Sequence, residues 1–582
     1  MMKYITPRLL PAVGMLALLG ATVTAAPGSA PESAAKNSHD QAYQRNIVTF
    51  NALTRELEEN YVDSIRIDDA FKAAIRGMLQ TVDPYTEYYA YEDQEKIQRM
   101  TTGSYGGIGS YILGRDGNTF ISEPIVGSPA MKAGLKPGDK ILRVDSIDVV
   151  GLNSDKTSSY LKGVPGTEVT VTVSRPYVGP DSILTFTLTR EKVVEPSVPW
   201  YGMLPGGIGY VRLNQYIESS AADVKEALES FQTDPAFKYL VLDLRGNGGG
   251  LVDSAVEILS NFLPKGTEVL RTRGKDASTE KIYKTRHAPI MPDIPMAVLI
   301  DGGSASAAEI TAGALQDLDR AVLVGSRSFG KGLVQGTRPL PYNGLLNVST
   351  AKYYIPSGRL IQALDYSHRN PDGSVARVPD SLTNLYRTAH GREVRDGGGL
   401  KPDSIVEWPE MSNLLYGLIV GNHLFDYSVK YAATHQAPDS VENIALTDAD
   451  FEDFATGIDA ASFKYDKVCN QLIDNLRETS RLEGYDSPEV KVLLDSLEAK
   501  LDHDLRGDIY TKRDVIEEYQ LEEIADRYVP SAGRVRRELV RDPALEKVRR
   551  IFATPGLYEE ILAAPKAPAA DGKGVKAKTS GK

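Results

Sequence analysis

The chain has 582 residues, 42% hydrophobic and 25% charged, which is ordinary globular material too long for a single core. Its formal charge of −12 excludes a general binder of nucleic acid, which needs a basic face to neutralise phosphates. A single cysteine, Cys469, excludes an intramolecular disulfide framework and any metal site built from several cysteines.

In chain order, residues 1–25 hold Lys3 and Arg8, then an apolar run from Leu9 to Val23 and small residues up to Ala25. This is the pattern of an export signal, cut after Ala25, and it predicts an exported, periplasmic protein. Left uncut, the same short run would anchor the chain to a membrane, although it barely reaches across one. Residues 26–45, rich in Ala and Ser, predict a flexible leader. Between 46 and 95, Phe50, Leu53, Leu57 and Tyr61 recur at helical spacing, a second helix covers Phe71 to Leu79, and Asp83-Pro84 ends it. These helices predict a small N-terminal helical domain.

Residues 96–190 change period, with short strand-like runs, two short helices and the alternating Val169, Val171 and Val173. They predict a small β-rich domain. Residues 191–410 alternate strands with helices, which predicts an α/β layer with much parallel pairing. Residues 411–563 turn helical, with Val490, Leu494, Leu497 and Leu501 spaced along one face and Asp542-Pro543 placed as N-cap and first turn. From 564 to 582, Ala, Lys and Gly predict a disordered tail. The fold class expected is therefore multidomain α+β.

Three segments of the α/β part could carry chemistry. "LVLDLRGNGGG" (Leu240 to Gly250) runs a strand into glycines, which let backbone N–H groups face a ligand or merely make a tight turn. "DGGSASAAEITAGALQD" (Asp301 to Asp317) surrounds Ser306 with small residues at the start of a helix. Ser306-Ala-Ala-Glu309 fits a capping box, yet such clearance also suits a carbonyl approaching a nucleophile, with Ser304 free to cap instead. "GSRSFGKG" (Gly325 to Gly332) falls one residue short of a phosphate-binding loop, because glycine stands where a hydroxyl must meet magnesium. Lys331 in this loop has Phe329, Leu333 and Val334 beside it. Burial there would lower its pKa toward neutrality and let the amine accept a proton, whereas a solvated lysine would do neither. The seven histidines fall in no triad motif, and His-Glu-x-x-His is absent, so metal hydrolysis lacks its parts.

"SPAMKAGLKPGDKILRVD" followed by "GVPGTEVTVTVSR" resembles a PDZ domain. "GSASAAEI" with "GKGLVQ" 25 residues beyond the serine closely resembles the carboxyl-terminal (tail-specific) processing proteases. "DPYTEYY", "LDLRGNGGG" and "RDGGGLKPD" (Arg395 to Asp403) resemble that family's other motifs, in its order, over most of residues 46–408. Ala308 departs from the family, which often has serine there. The resemblance implies a peptidase core of the ClpP/crotonase kind, with Ser306 as nucleophile, Lys331 as general base and Gln335 orienting the amine. It implies an oxyanion hole from the N–H groups of Ala307 and Gly249, and a carboxylate-binding loop at Gly106, Gly107, Ile108 and Gly109. It implies protein or peptide substrates presented by their C-termini, ATP-independent cleavage, and no nucleotide, cofactor or metal. An inactive scaffold that only holds C-termini is the alternative, and pairing with further copies of the chain is left open.

Overall fold

The computed structural model describes residues 31–564 except 178, 180, 181, 371–373, 409 and 502. The expected export signal, the first residues of the leader and the tail from 565 lie outside the described residues. The chain divides into two compact units, up to Met78 and from Leu79 onward.

The first unit contains the helix Pro31–Asn60 and most of the helix Ile67–Gln80, joined by an edge-to-face contact of Phe50 and Phe71 with ring centroids 5.6 Å apart. A flexible leader was expected as far as residue 45, but the helix already runs from Pro31. Proline is accommodated in a first turn, and the Ala, Glu, Lys, Gln and Arg that follow propagate a helix nucleated by the apolar repeat. The expected N-terminal domain of 46–95 also divides differently. Its last part, the strand Glu87–Tyr89, pairs antiparallel with the long strand Leu345–Tyr354. Asp83-Pro84 ends helical periodicity there, and the residues after it serve a sheet.

Residues 110–189 form the β-rich domain. Its strands Ser110–Arg115, Asn118–Pro124, Lys140–Val144, Glu168–Ser174 and Ile183–Thr189 lie in that order, each antiparallel to the next. Alternate residues Val169, Val171 and Val173 enter its core with Ile121, Ile141 and Val144, as a period of two requires. Two short helices start at caps, Ser128 accepting from Met131 N–H and Asn153 from Lys156 N–H.

The α/β part is a six-stranded sheet in the order Trp200–Leu204, Ile208–Arg212, Tyr239–Asp243, Met296–Ile300, Val322–Gly325 and Ser404–Ile405. All pairs after the first are parallel. Its strands read as continuous apolar runs because both faces are covered. Leu240, Leu242, Val298, Ile300 and Leu323 pack against the helices Ser220–Gln232, Val252–Leu259 and Ala307–Asp317. Their neighbours Tyr210, Val241, Ala297, Leu299, Val322 and Val324 face the other way and meet Leu539, Leu545, Val548 and Ile551. The end of the C-terminal helical region thus supplies the second cover of this sheet. The rest of that region, from Leu414 to Val529, has a core of its own.

A second sheet, all antiparallel, is built around Leu345–Tyr354, which pairs with Glu87–Tyr89, Glu268–Gly274 and Leu333–Pro339. It places residues 331–335 opposite the start of the helix Ala307–Asp317.

Candidate active site

Ser306 ends the turn that follows the strand Met296–Ile300 and stands at the N-cap of the helix Ala307–Asp317. Its φ of 55° and ψ of −115° are a sparsely populated conformation, of the kind that costs about 1–3 kcal/mol and persists only where surroundings over-determine it. The surroundings do so. Asp301 Oδ1 accepts from the N–H groups of Gly246, Gly303 and Ser304, and Ala305 N–H donates to Asn247 O. Ser304 is buried with its hydroxyl on Leu244 O, so it braces the turn and does not cap the helix. Ser306 and Glu309 do stand as a capping box, but its well-formed half is Ser306 N–H donating to Glu309 Oε2 at 2.9 Å. The Ser306 hydroxyl makes no side-chain cap hydrogen bond in ordinary geometry.

Glu309, legible in the sequence as half of a capping box, is also a pivot. Fully buried, its carboxylate also accepts from Ser328 Oγ, from Gly330 N–H at 2.7 Å and from Lys331 N–H at 2.9 Å. Burial pushes its pKa up to about 7, against the pull of these donors in the opposite direction. One side chain thereby ties the Ser306 turn to the Lys331 loop. The signal in the sequence was a glutamate flanked by small and apolar residues in the first turn of a helix, where a buried carboxylate needs partners.

Lys331 lies half-buried, and burial lowers its pKa while the fields of Asp83 and Glu309 oppose the shift. Its Nζ stands 4.3 Å from the centre of the Tyr85 ring. Ser306, Lys331 and Gln335 line one cavity of about 540 Å³, together with Gly248, Gly249 and Gly250 and an apolar wall that includes Val252, Ile310 and Leu333. No hydrogen bond joins Lys331 Nζ to Ser306 Oγ or to Gln335 among the described residues. Gln335, expected to hold the amine, donates its Nε2 to Ser349 Oγ at 3.1 Å. The shift of register between Val334 and Gln335 in the pairing with Leu345–Tyr354 accompanies this turn of the side chain toward its cross-strand neighbour.

The glycine loop meets Ser306 directly. A Cβ placed on Gly249 would fall 2.7 Å from Ser306 Cβ and 2.8 Å from Ala307 N, and the φ of +95° there favours glycine. Ala307 N–H donates to none of the described residues and faces this loop, as an oxyanion donor should. Gly249 N–H, the other donor expected, is instead given to Asn247 Oδ1 at 2.8 Å. This is an Asx turn, in which the asparagine side chain captures the amide two residues on. The neighbouring Gly248 is exposed and has space around it.

The loop is held from behind by charge. Arg245 donates to Asp243 and, at 2.6 Å, to Asp542, the N-cap of the helix Pro543–Ala553. Arg212 and Tyr210 complete the partners of Asp243 at 2.8 and 2.6 Å. Burial alone would raise the Asp243 pKa, but Arg212 and Arg245 outweigh it and hold the carboxyl well below the usual range.

The expected carboxylate loop begins in a strand and ends in a turn. Gly106 and Gly107 belong to the strand Ser104–Gly107, which pairs with Glu191–Val194. Ile108 is buried in the β-rich core, and Gly109 turns at φ +74° with its carbonyl accepting from Ser128 Oγ. Arg115 pairs with Asp426, and Arg527 donates to Ser122 O, so the helical region grips this domain as well.

Comparison with known proteins places these features. Residues 207–375 match "Peptidase family S41", 120–175 match a PDZ domain, and 414–552 match "Probable PDZ-protease, C-terminal helical domain". A "Carboxy-terminal-processing protease" of Bartonella bacilliformis is 34% identical over 336 residues, 57% of this chain and 76% of its own. A "Probable CtpA-like serine protease" of Staphylococcus aureus is 29% identical over 77% of this chain and 79% of its own. Among solved structures, a photosystem II D1 C-terminal processing protease is 26% identical over 62% of this chain and 86% of its own, with a TM-score of 0.33. The protein is a serine-type peptidase that carries a PDZ domain. It belongs to peptidase family S41, with relatives named as carboxy-terminal-processing proteases.

Proposed function

We propose that this peptidase cleaves protein substrates presented by their C-termini, using Ser306 as nucleophile and Lys331 as general base, without ATP. The observation that carries this reading is the single cavity shared by Ser306, Lys331 and Gln335, with a strained serine at a helix N-terminus. A neutral Lys331 amine takes the Ser306 proton, and the oxygen bonds to the scissile carbonyl carbon as the carbonyl pair moves onto the oxyanion. Ala307 N–H, with the helix N-terminus behind it, meets that charge. The ammonium then gives its proton to the departing amine, and water repeats the sequence on the acyl-enzyme. The apolar wall of the cavity suits an apolar residue before the cut. The PDZ domain, one of a class that takes chain ends by strand addition, presents the substrate. The apolar run of residues 9–23 supports export and a periplasmic setting.

The test is labelling by a serine-directed phosphonate probe in the wild type, Ser306→Ala, Lys331→Ala and Lys331→Arg. Labelling should vanish in the first variant and fall nearly as far in the arginine variant as in the alanine one, because guanidinium stays protonated. Rates should rise with pH through the lowered Lys331 pKa. Amidating a substrate's C-terminus should slow its cleavage roughly tenfold or more, the loss of a charge-assisted hydrogen bond. Near-wild-type labelling of Lys331→Arg would remove the base from this mechanism, and equal cleavage of acid and amide would remove chain-end recognition.

A further inference from the structure

The Lys331 amine lies over an aromatic ring and makes no hydrogen bond to Ser306 among the described residues. Lys331 Nζ lies 4.3 Å from the Tyr85 ring centre, and Gln335 is turned away to Ser349. Tyr85 is held in place from several sides. Its N–H donates to Asp83 Oδ1 at 2.8 Å, and the same carboxylate accepts from the Thr86 N–H and hydroxyl. Tyr366 packs edge-to-face on the ring at 6.0 Å, with its hydroxyl donating to the Tyr85 oxygen. Ser349 N–H reaches back to Thr86 Oγ1, and the next residues, Glu87–Tyr89, are locked into the second sheet.

An aromatic face attracts an ammonium through its quadrupole and has no comparable attraction for a neutral amine. A general base must be neutral to act. The contact therefore favours the protonation state in which the amine cannot act as a base. We infer that Tyr85 is a positioning residue whose ring seats the protonated Lys331 amine, so that the base reaches the serine only after releasing a proton to solvent. The inference rests on the assignment of Ser306 and Lys331 made above. The proton balance is simple: the seated ammonium loses one proton to water, and the freed amine accepts one from Ser306. The other groups acting on Lys331 are Asp83 and Glu309, whose fields also favour the ammonium, with burial opposing them. Tyr353, on the long strand, lies within the field of both Tyr85 and Glu309.

The experiment is the pH dependence of Ser306 acylation by a fluorophosphonate probe, in the full chain and in Tyr85→Phe, Tyr85→Leu and Tyr85→Trp. Removing a contact that favours the ammonium lowers the lysine pKa, and activity needs the neutral amine, so the acid limb should move to lower pH. Tyr85→Phe keeps a ring and should keep the wild-type limb. Tyr85→Leu should shift it down by about 0.5–1 unit, which speeds acylation roughly three- to tenfold on the sloping part of the curve. Tyr85→Trp, with the strongest ring, should move it upward. A limb in the same place for Leu, Phe and Trp overturns the seat, even if all three lower the plateau. If Tyr85→Leu fails to fold, the order of Phe and Trp decides. Absence of any labelling of Ser306 in the wild type at every pH would instead sink the assignment of the nucleophile.

Discussion

The two glycine clusters of this protein, residues 246–250 and 106–109, are alike in wording and approach different partners. In the first, glycine lets backbone press against a side chain: Gly249 leaves no room for a Cβ beside Ser306. In the second, glycine lets backbone press against backbone, since a Cβ on Gly106 would fall 2.2 Å from Gly163 O. The first cluster is held from behind by the buried charges of Asp243, Arg245 and Asp542; the second is held by strand pairing with Glu191–Val194. A glycine run here marks close approach, to a side chain in the first cluster and to backbone in the second.

Changes at four positions would break or sharpen that contrast, from the largest effect to the smallest. Gly249→Ala should lower kcat/KM by roughly 10²–10³-fold, the scale of a spoiled oxyanion site, while leaving peptide binding to the PDZ domain intact. Equal losses in catalysis and peptide binding would mean that the whole fold had shifted. Asp542→Ala leaves Arg245 short of a buried partner and should cost about 3–5 kcal/mol in calorimetric unfolding. Asp542→Asn keeps a capping side chain and should cost less. If removing this residue, which does not line the cavity, also slows acylation of Ser306, the charge cluster positions the glycine loop as well as stabilising it.

Gly106→Ala should act on the other side of the comparison. It should destabilise the PDZ domain by about 1–3 kcal/mol and weaken cleavage of long substrates mainly through KM, with probe labelling of Ser306 unchanged. Loss of labelling there would erase the distinction between the clusters. The smallest signal is a slope. Glu309, pushed up to about 7 by burial, binds its proton more tightly in the folded state than in the unfolded chain. Stability should thus decline as pH rises from about 4.5 to about 7, by no more than about 1.4 kcal/mol per pH unit, and Glu309→Gln should flatten that decline.

Much of the architecture was legible along the chain, and for one reason. Period and punctuation are local, so the alternation of Val169, Val171 and Val173, the apolar runs of the parallel strands and the Asp542-Pro543 helix start all report their own surroundings. The segments holding Ser306, Lys331 and Gln335 could be named in the same way, from short motifs in a particular order. The sequence by itself also left the glycine loop two uses, close approach to a ligand or a tight turn, because a residue without a side chain permits either. Only the tertiary structure decided what it approaches, and which amides are taken: Gly249 N–H goes to Asn247, whereas Ala307 N–H goes to none of the described residues. It also decided that Arg245 meets Asp542, a partner 297 residues away, and that the helices beyond 533 cover a face of the central sheet. It seated Lys331 over Tyr85 and made Glu309 the tie between two segments that no local pattern relates. Such contacts join positions whose spacing carries no periodicity, and their energies depend on burial that exists only once the chain has closed around them.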